Sequence, residues 1–253
     1  MKLTGNTILI TGGGSGIGLG LAKAFSALGN KVVIAGRRRQ VLDAVTAANP
    51  GISAIPFDIE KRESIRPFAD RVAKDFPDLN VLINNAGIMR IERLLAQPKD
   101  LSDAESIVAT NLLGPIRLTA ALLPLLARQS RSTIMNVSSG LAFLPLAITP
   151  TYCATKAAIH SYTESLRYQL QSTPIGVIEL IPPYVRTDLL NGAEDPRAMP
   201  LEAFVAEVME ILRTQPEAQE ICVENVKRLR FAAEAGGYAA LFKGLNDAFA
   251  GAD

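Results

Sequence analysis

Tyr152 and Lys156 stand four residues apart, so a helix through this run sets a phenol and an ammonium one turn apart on one face. A free phenol titrates near ~10, and a neighbouring opposite charge favours its ionised form by roughly 1–3 units. Lys156 is therefore expected to draw Tyr152 toward use as a general acid or base, with Ser139 holding the oxygen of a substrate. Ser138 competes with Ser139 for that role. Tyr and Lys also meet at this spacing as ordinary solvated pairs, so the pair takes its meaning from what surrounds it.

A second set of residues suits phosphate. The run Thr7–Ile10 reads as a strand, and Gly12, Gly14, Ser15, Gly16, Ile17 and Gly18 follow before a helical pattern through Leu21, Phe25 and Leu28. Glycines permit a tight turn, and the N–H groups of the helix start face a pyrophosphate. The spacing is Gly12-x-x-x-Gly16-x-Gly18 rather than the common dinucleotide fingerprint, and a plain flexible turn is the competing reading. After the next strand, Lys31–Ala35, come Gly36 and Arg37-Arg38-Arg39 where an acid for a ribose hydroxyl would stand. Guanidinium forks suit a 2′-phosphate, so NADP(H) is expected over NAD(H), with Arg37 and Arg38 as its ligands. A solvated charge run is the alternative for Arg39 and also for Arg38.

The elements needed to position these groups follow in alternation. Further strands at 52–57, 81–83, 133–137 and 176–181 lead into Asp58-Ile59, Asn84-Asn85-Ala86-Gly87, Ser138-Ser139 and Pro182-Pro183. Each informative polar group thus falls at the carboxyl end of a strand, where open α/β sheets bind ligands. Uniformly apolar strands such as Val81-Leu82-Ile83 fit a parallel sheet covered on both faces. The expectation is a single α/β domain over residues 1–253, a doubly wound parallel sheet of about seven strands.

Composition narrows the function. With 253 residues, 48% apolar, 20% charged and a formal net charge of +1, the chain lacks a basic field for nucleic acid or anionic lipid. Cys153, Cys222 and His160 make neither a disulfide framework nor a zinc site, so no metal and a reduced, cytoplasmic compartment are expected. Neither a signal peptide nor an unbroken apolar run of membrane length, about 18 residues, is present, so no membrane association is expected. His160 lies off the face of Tyr152 and reads as a satisfied helix histidine; Cys153 reads as a small buried residue. Asn84 and Asn85 have a competing use as caps for local backbone.

Two apolar helical patterns, Leu101–Arg128 and Tyr152–Gln171, exceed what one sheet-facing stripe needs. They suggest a homodimer or homotetramer. Pro115 and Pro124 are expected to bend or end the first. From Thr187 to Pro200 the pattern dissolves into a stretch expected to be a mobile substrate lid. A helix at 201–213, a strand at 220–223 and an amphipathic segment at 238–249 complete the chain.

Taken in order, Thr11-Gly-x-x-x-Gly-Ile-Gly18, Asn84-Asn-Ala-Gly87, Asn111, Ser139 and Tyr152-x-x-x-Lys156 resemble the single-domain branch of the short-chain dehydrogenase/reductase family, with wording most similar to its DltE-like oxidoreductases. The resemblance runs from about residue 5 to 230 and implies a Rossmann fold. It further implies that Tyr152 exchanges a proton with a carbonyl or alcohol oxygen, that Lys156 lowers the phenol and holds the nicotinamide ribose, and that Ser139 polarises the substrate. Asn111 would anchor a water. Asp58 and Ile59 would flank the adenine, Asn85, Ala86 and Gly87 the nicotinamide ribose, and Pro182, Val185 and Thr187 the carboxamide side. Where the family often has Pro-Gly, this chain has Pro182-Pro183. The leading expectation is an oxidoreductase for a small, largely apolar carbonyl or secondary alcohol, walled by Leu141, Phe143, Leu144, Tyr184 and Leu189. A dinucleotide-binding sensor or scaffold without turnover is the alternative; it needs the glycine turn but not Ser139, Tyr152 and Lys156.

Overall fold

A computed structural model describes residues 1–96, 100–189 and 195–249. Seven strands form one parallel sheet: Thr7–Thr11 (β1), Lys31–Gly36 (β2), Ile52–Pro56 (β3), Val81–Asn84 (β4), Ser132–Val137 (β5), Ile175–Ile181 (β6) and Glu220–Cys222 (β7). Their order is β3-β2-β1-β4-β5-β6-β7. The chain reverses direction across the sheet between β1 and β4, where Ile8 faces Val32 on one side and Val81 on the other. Such a reversal opens a crevice beyond the carboxyl ends of the two strands.

Alternation within each strand divides the core. Ile8, Ile10, Ile34 and Ile83 point to one face, where Leu21 and Phe25 of α1 (Gly16–Ala27) and Phe204 and Val208 of α7 (Leu201–Thr214) cover them. Leu9, Val33, Leu82 and Ile134 point to the other, against Phe68 and Val72 of α3 (Arg62–Asp75) and Leu118 and Leu122 of α5 (Gly114–Leu126). Both rows are apolar because neither face meets water, which explains the uniform strand sequences. Helix α2 (Arg39–Ala48) lies against β3 and β2, with Leu42 and Val45 buried.

The expected helix over 101–128 is three pieces: α4 (Ser102–Val108), a π turn at Ala109–Leu113, and α5. Pro115 lies in the first turn of α5, directly after the π turn, and Pro124 in its last. Length and composition alone would let Ser102–Leu126 cross a membrane. Leu118, Leu122, Leu125 and Leu126 are instead buried against the sheet, as in the core helix of a globular fold. Helix α6 (Pro150–Gln169) crosses the carboxyl end of β5, and α9 (Tyr238–Phe249) forms the amphipathic end. One helix has no counterpart in the sequence reading: α8 (Glu224–Arg230), directly after β7.

The stretch 187–200 is only partly irregular. Its centre, 190–194, lies outside the described residues. The returning limb is tied down: Arg186 N–H donates to the Met199 carbonyl at 2.8 Å, and Met199 N–H to that of Tyr184 at 2.9 Å. Ala198 is buried beneath it. Within the stretch expected to be a lid, Met199 is thus paired to the backbone of 184–186.

Candidate active site

The strand ends surround a cavity of about 940 Å³. The glycine turn forms one end. Gly12 has φ +66°, a left-handed conformation, and a Cβ there would lie 2.9 Å from the Ala86 Cα. Gly18 is constrained by approach instead: its Cβ would sit 2.4 Å from Asn85 Nδ2 and 2.5 Å from the Gly12 carbonyl. Asn85 Nδ2 donates to the Thr11 and Gly12 carbonyls at 2.9 and 3.3 Å, and Thr11 Oγ1 accepts from the Asn85 and Ala86 N–H groups. The turn after β1 and the loop after β4 are therefore one hydrogen-bonded unit. Asn85 does hold backbone, namely that of the glycine turn. Asn84 faces the core, donating to Asn136 Oδ1 at 2.8 Å and Thr119 Oγ1 at 3.0 Å.

Beside the turn, Arg38 reaches back to donate to Ser15 Oγ at 3.2 Å, and Arg37 pairs with Glu60 at 3.5 Å. Both line the cavity. Arg39 does not; it faces Asp43 on the exposed side of α2. Gly14, Gly16, Ile17, Ile59, Ala86, Gly87, Pro182, Val185 and Thr187, and also Pro183, line the cavity. Gly18 supports from behind. Asp58 is absent from the wall: its carboxylate accepts the Glu60 N–H at 3.2 Å, and Phe57 lines the cavity beside Ile59.

At the other end, Ser139, Tyr152 and Lys156 converge. Tyr152 and Lys156 are both buried on α6, and Lys156 Nζ lies 5.5 Å from the Tyr152 ring centroid. Nζ also donates to the Val137 carbonyl at 2.8 Å. Ser139 begins the loop after β5, where its Oγ accepts the Leu141 N–H at 3.1 Å and hydrogen-bonds with the Tyr152 side chain. Ser138 Oγ is buried with no hydrogen-bond partner. The π turn carries Asn111 to the same place. Its Oδ1 accepts the Ile88 N–H at 2.8 Å, and its Nδ2 donates to the Ile88 carbonyl at 2.9 Å. A Cβ on Gly87 would stand 3.4 Å from Asn111 Oδ1 and 3.7 Å from Lys156 Nζ, so Asn111 backs the site without lining it.

The electrostatics correct one expectation. Burial pushes the Tyr152 phenol above its ordinary range, the Ser139 hydrogen bond opposes this, and Cys153 adds to it. In the polypeptide alone, desolvation thus outweighs any lowering by Lys156. Burial also pushes the Lys156 ammonium down to about 8, with the Glu179 carboxylate opposing. Cys153 is buried beside Leu146 and Thr149, and burial raises its thiol, as suits a packing residue. His160 Nδ1 meets Glu179 Oε2 at 2.8 Å.

The wall around the reactive groups was legible only in part. Leu141, Tyr184 and Leu189 line the cavity; Phe143 and Leu144 do not. Phe143 packs edge-on to His160 at 4.7 Å and under the Arg230 guanidinium at 4.4 Å, and Leu144 is buried. The unforeseen wall comes from α8 and α9, through Asn225, Arg228, Leu245 and Phe249. Val226 and Leu229, three apart, seat α8 on the Ser139 loop at Gly140. Arg197 holds α9, donating to the Ala248 carbonyl at 3.0 Å and lying 4.2 Å from the Phe249 ring. The stripe Leu241, Leu245, Phe249 was the available signal for α9.

A family model described as short chain dehydrogenase matches residues 6–198. The chain is 40% identical over 249 residues to the uncharacterized oxidoreductase DltE of Bacillus subtilis (strain 168), covering 97% of this chain and 98% of that protein. Among solved structures, a short chain dehydrogenase from Burkholderia cenocepacia J2315 in complex with NADP superposes with a TM-score of 0.81 at 25% identity, over 97% of this chain and 99% of the other. A short chain dehydrogenase/reductase from Burkholderia phymatum in complex with NAD shares the fold, with a TM-score of 0.78 at 20% identity over 92% and 95%. A matched family model, a near-full-length relative and a sheet that delivers the expected groups to one crevice agree: the chain belongs to the short-chain dehydrogenase/reductase family of NAD(P)-dependent oxidoreductases.

Proposed function

We propose that this chain is an NADP(H)-dependent carbonyl reductase or alcohol dehydrogenase acting on a small, largely apolar substrate. The observation that carries the reading is the convergence of Ser139, Tyr152 and Lys156 on the cavity whose far end holds the glycine turn and Arg38. The tight turn at Gly12 leads directly into the first turn of α1, whose N–H groups suit a pyrophosphate, so the residues fit a dinucleotide. A bound nicotinamide supplies or accepts the hydride.

Everything else is work for the chain. Gly12, Gly14, Ser15, Gly16 and Ile17 hold phosphates; Arg38, with Arg37 beside it, meets a 2′-phosphate, and since one structural neighbour is in complex with NADP and another with NAD, the preference rests on the arginines. Asn85, Ala86, Gly87 and Lys156 hold ribose, and Val185 and Thr187 the carboxamide side. Ser139 Oγ fixes the substrate oxygen. Tyr152 Oη gives that oxygen a proton during reduction and takes one during oxidation, and a charged Lys156 stabilises the phenolate that remains. Asn111 orders a water between Lys156 and the Ile88 carbonyl.

The wider proposal is one functional unit over 1–253 in a reduced, cytoplasmic setting, assembled as a homodimer or homotetramer. Leu113, exposed at 37% on the π turn, supports a further contact surface, and light scattering at micromolar concentration reads the mass directly. The test of function is a panel of ketones, aldehydes and secondary alcohols with NADPH or NADP⁺, followed by nicotinamide absorbance. Turnover with at least one apolar member is expected. Tight NADPH binding with no turnover across the panel would favour the sensor instead.

A further inference from the structure

Among the described residues, Lys156 and Glu179 are the only charged side chains in the buried interior, one a cation and one an anion. Glu179 sits on β6, fully enclosed, with Oε2 held by His160 Nδ1 at 2.8 Å and Oε1 without any hydrogen-bond partner. A buried carboxylate with an unused oxygen costs stability, which makes a use for it worth seeking.

Its position answers the question. Lys156 Nζ is tied to the Val137 carbonyl on β5, and the residue before it, Asn136, is the register partner of Glu179 on β6. His160, which holds Glu179, lies one helical turn beyond Lys156 on the same side of α6. The carboxylate is thus anchored one strand away from the carbonyl that anchors the ammonium. No direct ion pair joins them, so Lys156 keeps its donors for other partners.

The groups around Glu179 leave its charge uncompensated. Glu220 on β7 accepts from Arg230 of α8 at 2.8 and 3.0 Å, so these two satisfy each other. Glu234 takes a further Arg230 donor at 3.0 Å. On α6, Glu164 lies 3.9 Å from His160 Nε2, and Tyr152 and Cys153 carry no charge at neutral pH. Burial likewise keeps the Cys222 thiol of β7 protonated. His160, Glu179 and Glu220 also approach metal-ligand spacing. Arg230 already serves Glu220 as its cation, which removes one of the three ligands.

We propose that Glu179 is a positioning residue for the reaction: from the strand behind the site its carboxylate favours the ammonium form of the buried Lys156, and His160 Nδ1 fixes that carboxylate in place. This rests on the function proposed above, because Lys156 acts on Tyr152 only while charged. Burial by itself disfavours that charge, and an opposite charge nearby restores it.

The test reads Lys156 without requiring turnover. Protein labelled with ¹³C at the lysine Cε is titrated by NMR, with the Lys156 signal assigned by its loss in Lys156→Met. In Glu179→Gln, which keeps shape and removes charge, the Lys156 midpoint is expected to fall by on the order of one pH unit. The alkaline limb of kcat for carbonyl reduction should move acidward by a similar amount, and Glu179→Asp should restore part of both. If Glu179→Gln does not fold, His160→Leu serves: the carboxylate loses the contact that fixes it beside Lys156, and an acidward shift in the same direction is expected. An unchanged or alkaline-shifted Lys156 midpoint in whichever variant folds overturns the proposal. A shifted midpoint in a protein whose turnover survives Tyr152→Phe would leave the Glu179–Lys156 coupling standing and defeat the proposed function.

Discussion

The two ends of the cavity are built in different ways. The dinucleotide end is made of backbone: two left-handed or closely approached glycines, an asparagine amide spanning to the turn, and strand ends fixed by ladder register. The other end, the proposed substrate end, is made of side chains from segments far apart in sequence: Leu141, Tyr184, Leu189, Arg228 and the α9 residues Leu245 and Phe249. Backbone geometry tolerates few residue types, whereas an apolar wall tolerates many. Family members can therefore share one end and differ at the other.

Substitutions should separate the ends in proportion to this contrast. The largest effect is expected for Gly18→Val, whose branched Cβ must displace Asn85 and the Gly12 carbonyl together. A loss of about 3 kcal/mol in urea unfolding is expected, together with loss of NADPH binding by calorimetry. Next comes Arg38→Glu. Removing a charge-assisted phosphate contact should weaken NADPH by roughly 10- to 100-fold, while NADH affinity stays level. Equal weakening of both coenzymes would mean that Arg38 meets a group common to them.

A pH effect sharpens the comparison at the reactive groups themselves. Burial pushes the Lys156 ammonium down to about 8 in the folded chain from its ordinary 10.5. Between those values the unfolded chain binds the proton and the native chain does not, so stability from this group rises with pH. Relative to Lys156→Met, the parent should therefore gain unfolding free energy from about pH 8 to about 10.5, as read by urea titrations at fixed pH. The smallest effect is expected for Phe249→Ala. It removes an apolar surface from the substrate wall and should raise KM for an apolar substrate about threefold to tenfold, with NADPH affinity unchanged.

The same contrast decides what was legible in the sequence. Gly12, Gly16, Gly18 and the Tyr152–Lys156 pair could be read because each is fixed by local spacing, and the fold followed from strands ending at informative residues. Arg38 gained definition only through Ser15, a contact across 23 positions. Asp58 shows why a carboxylate beside a crevice is hard to read from sequence: it also caps its own loop, accepting the Glu60 N–H. Phe143 and Leu144 looked like pocket walls because they follow Ser139. The short turn Gly140–Ala142 sends Phe143 instead toward His160 and Arg230. Helix α8 escaped notice because seven residues carry too little periodicity. The upward push of burial on Tyr152 was not legible because spacing reveals a neighbouring charge and conceals how far both groups are taken out of water.

The central claim is that Tyr152 transfers the proton while the rest of the cavity binds. It is tested most directly by Tyr152→Phe, which keeps the ring and removes only the hydroxyl. With a substrate that the parent turns over, kcat should fall by roughly 10²–10⁴-fold while the NADPH dissociation constant measured by calorimetry stays close to the parent's. A variant that binds NADPH and turns over near the parental rate would contradict the account.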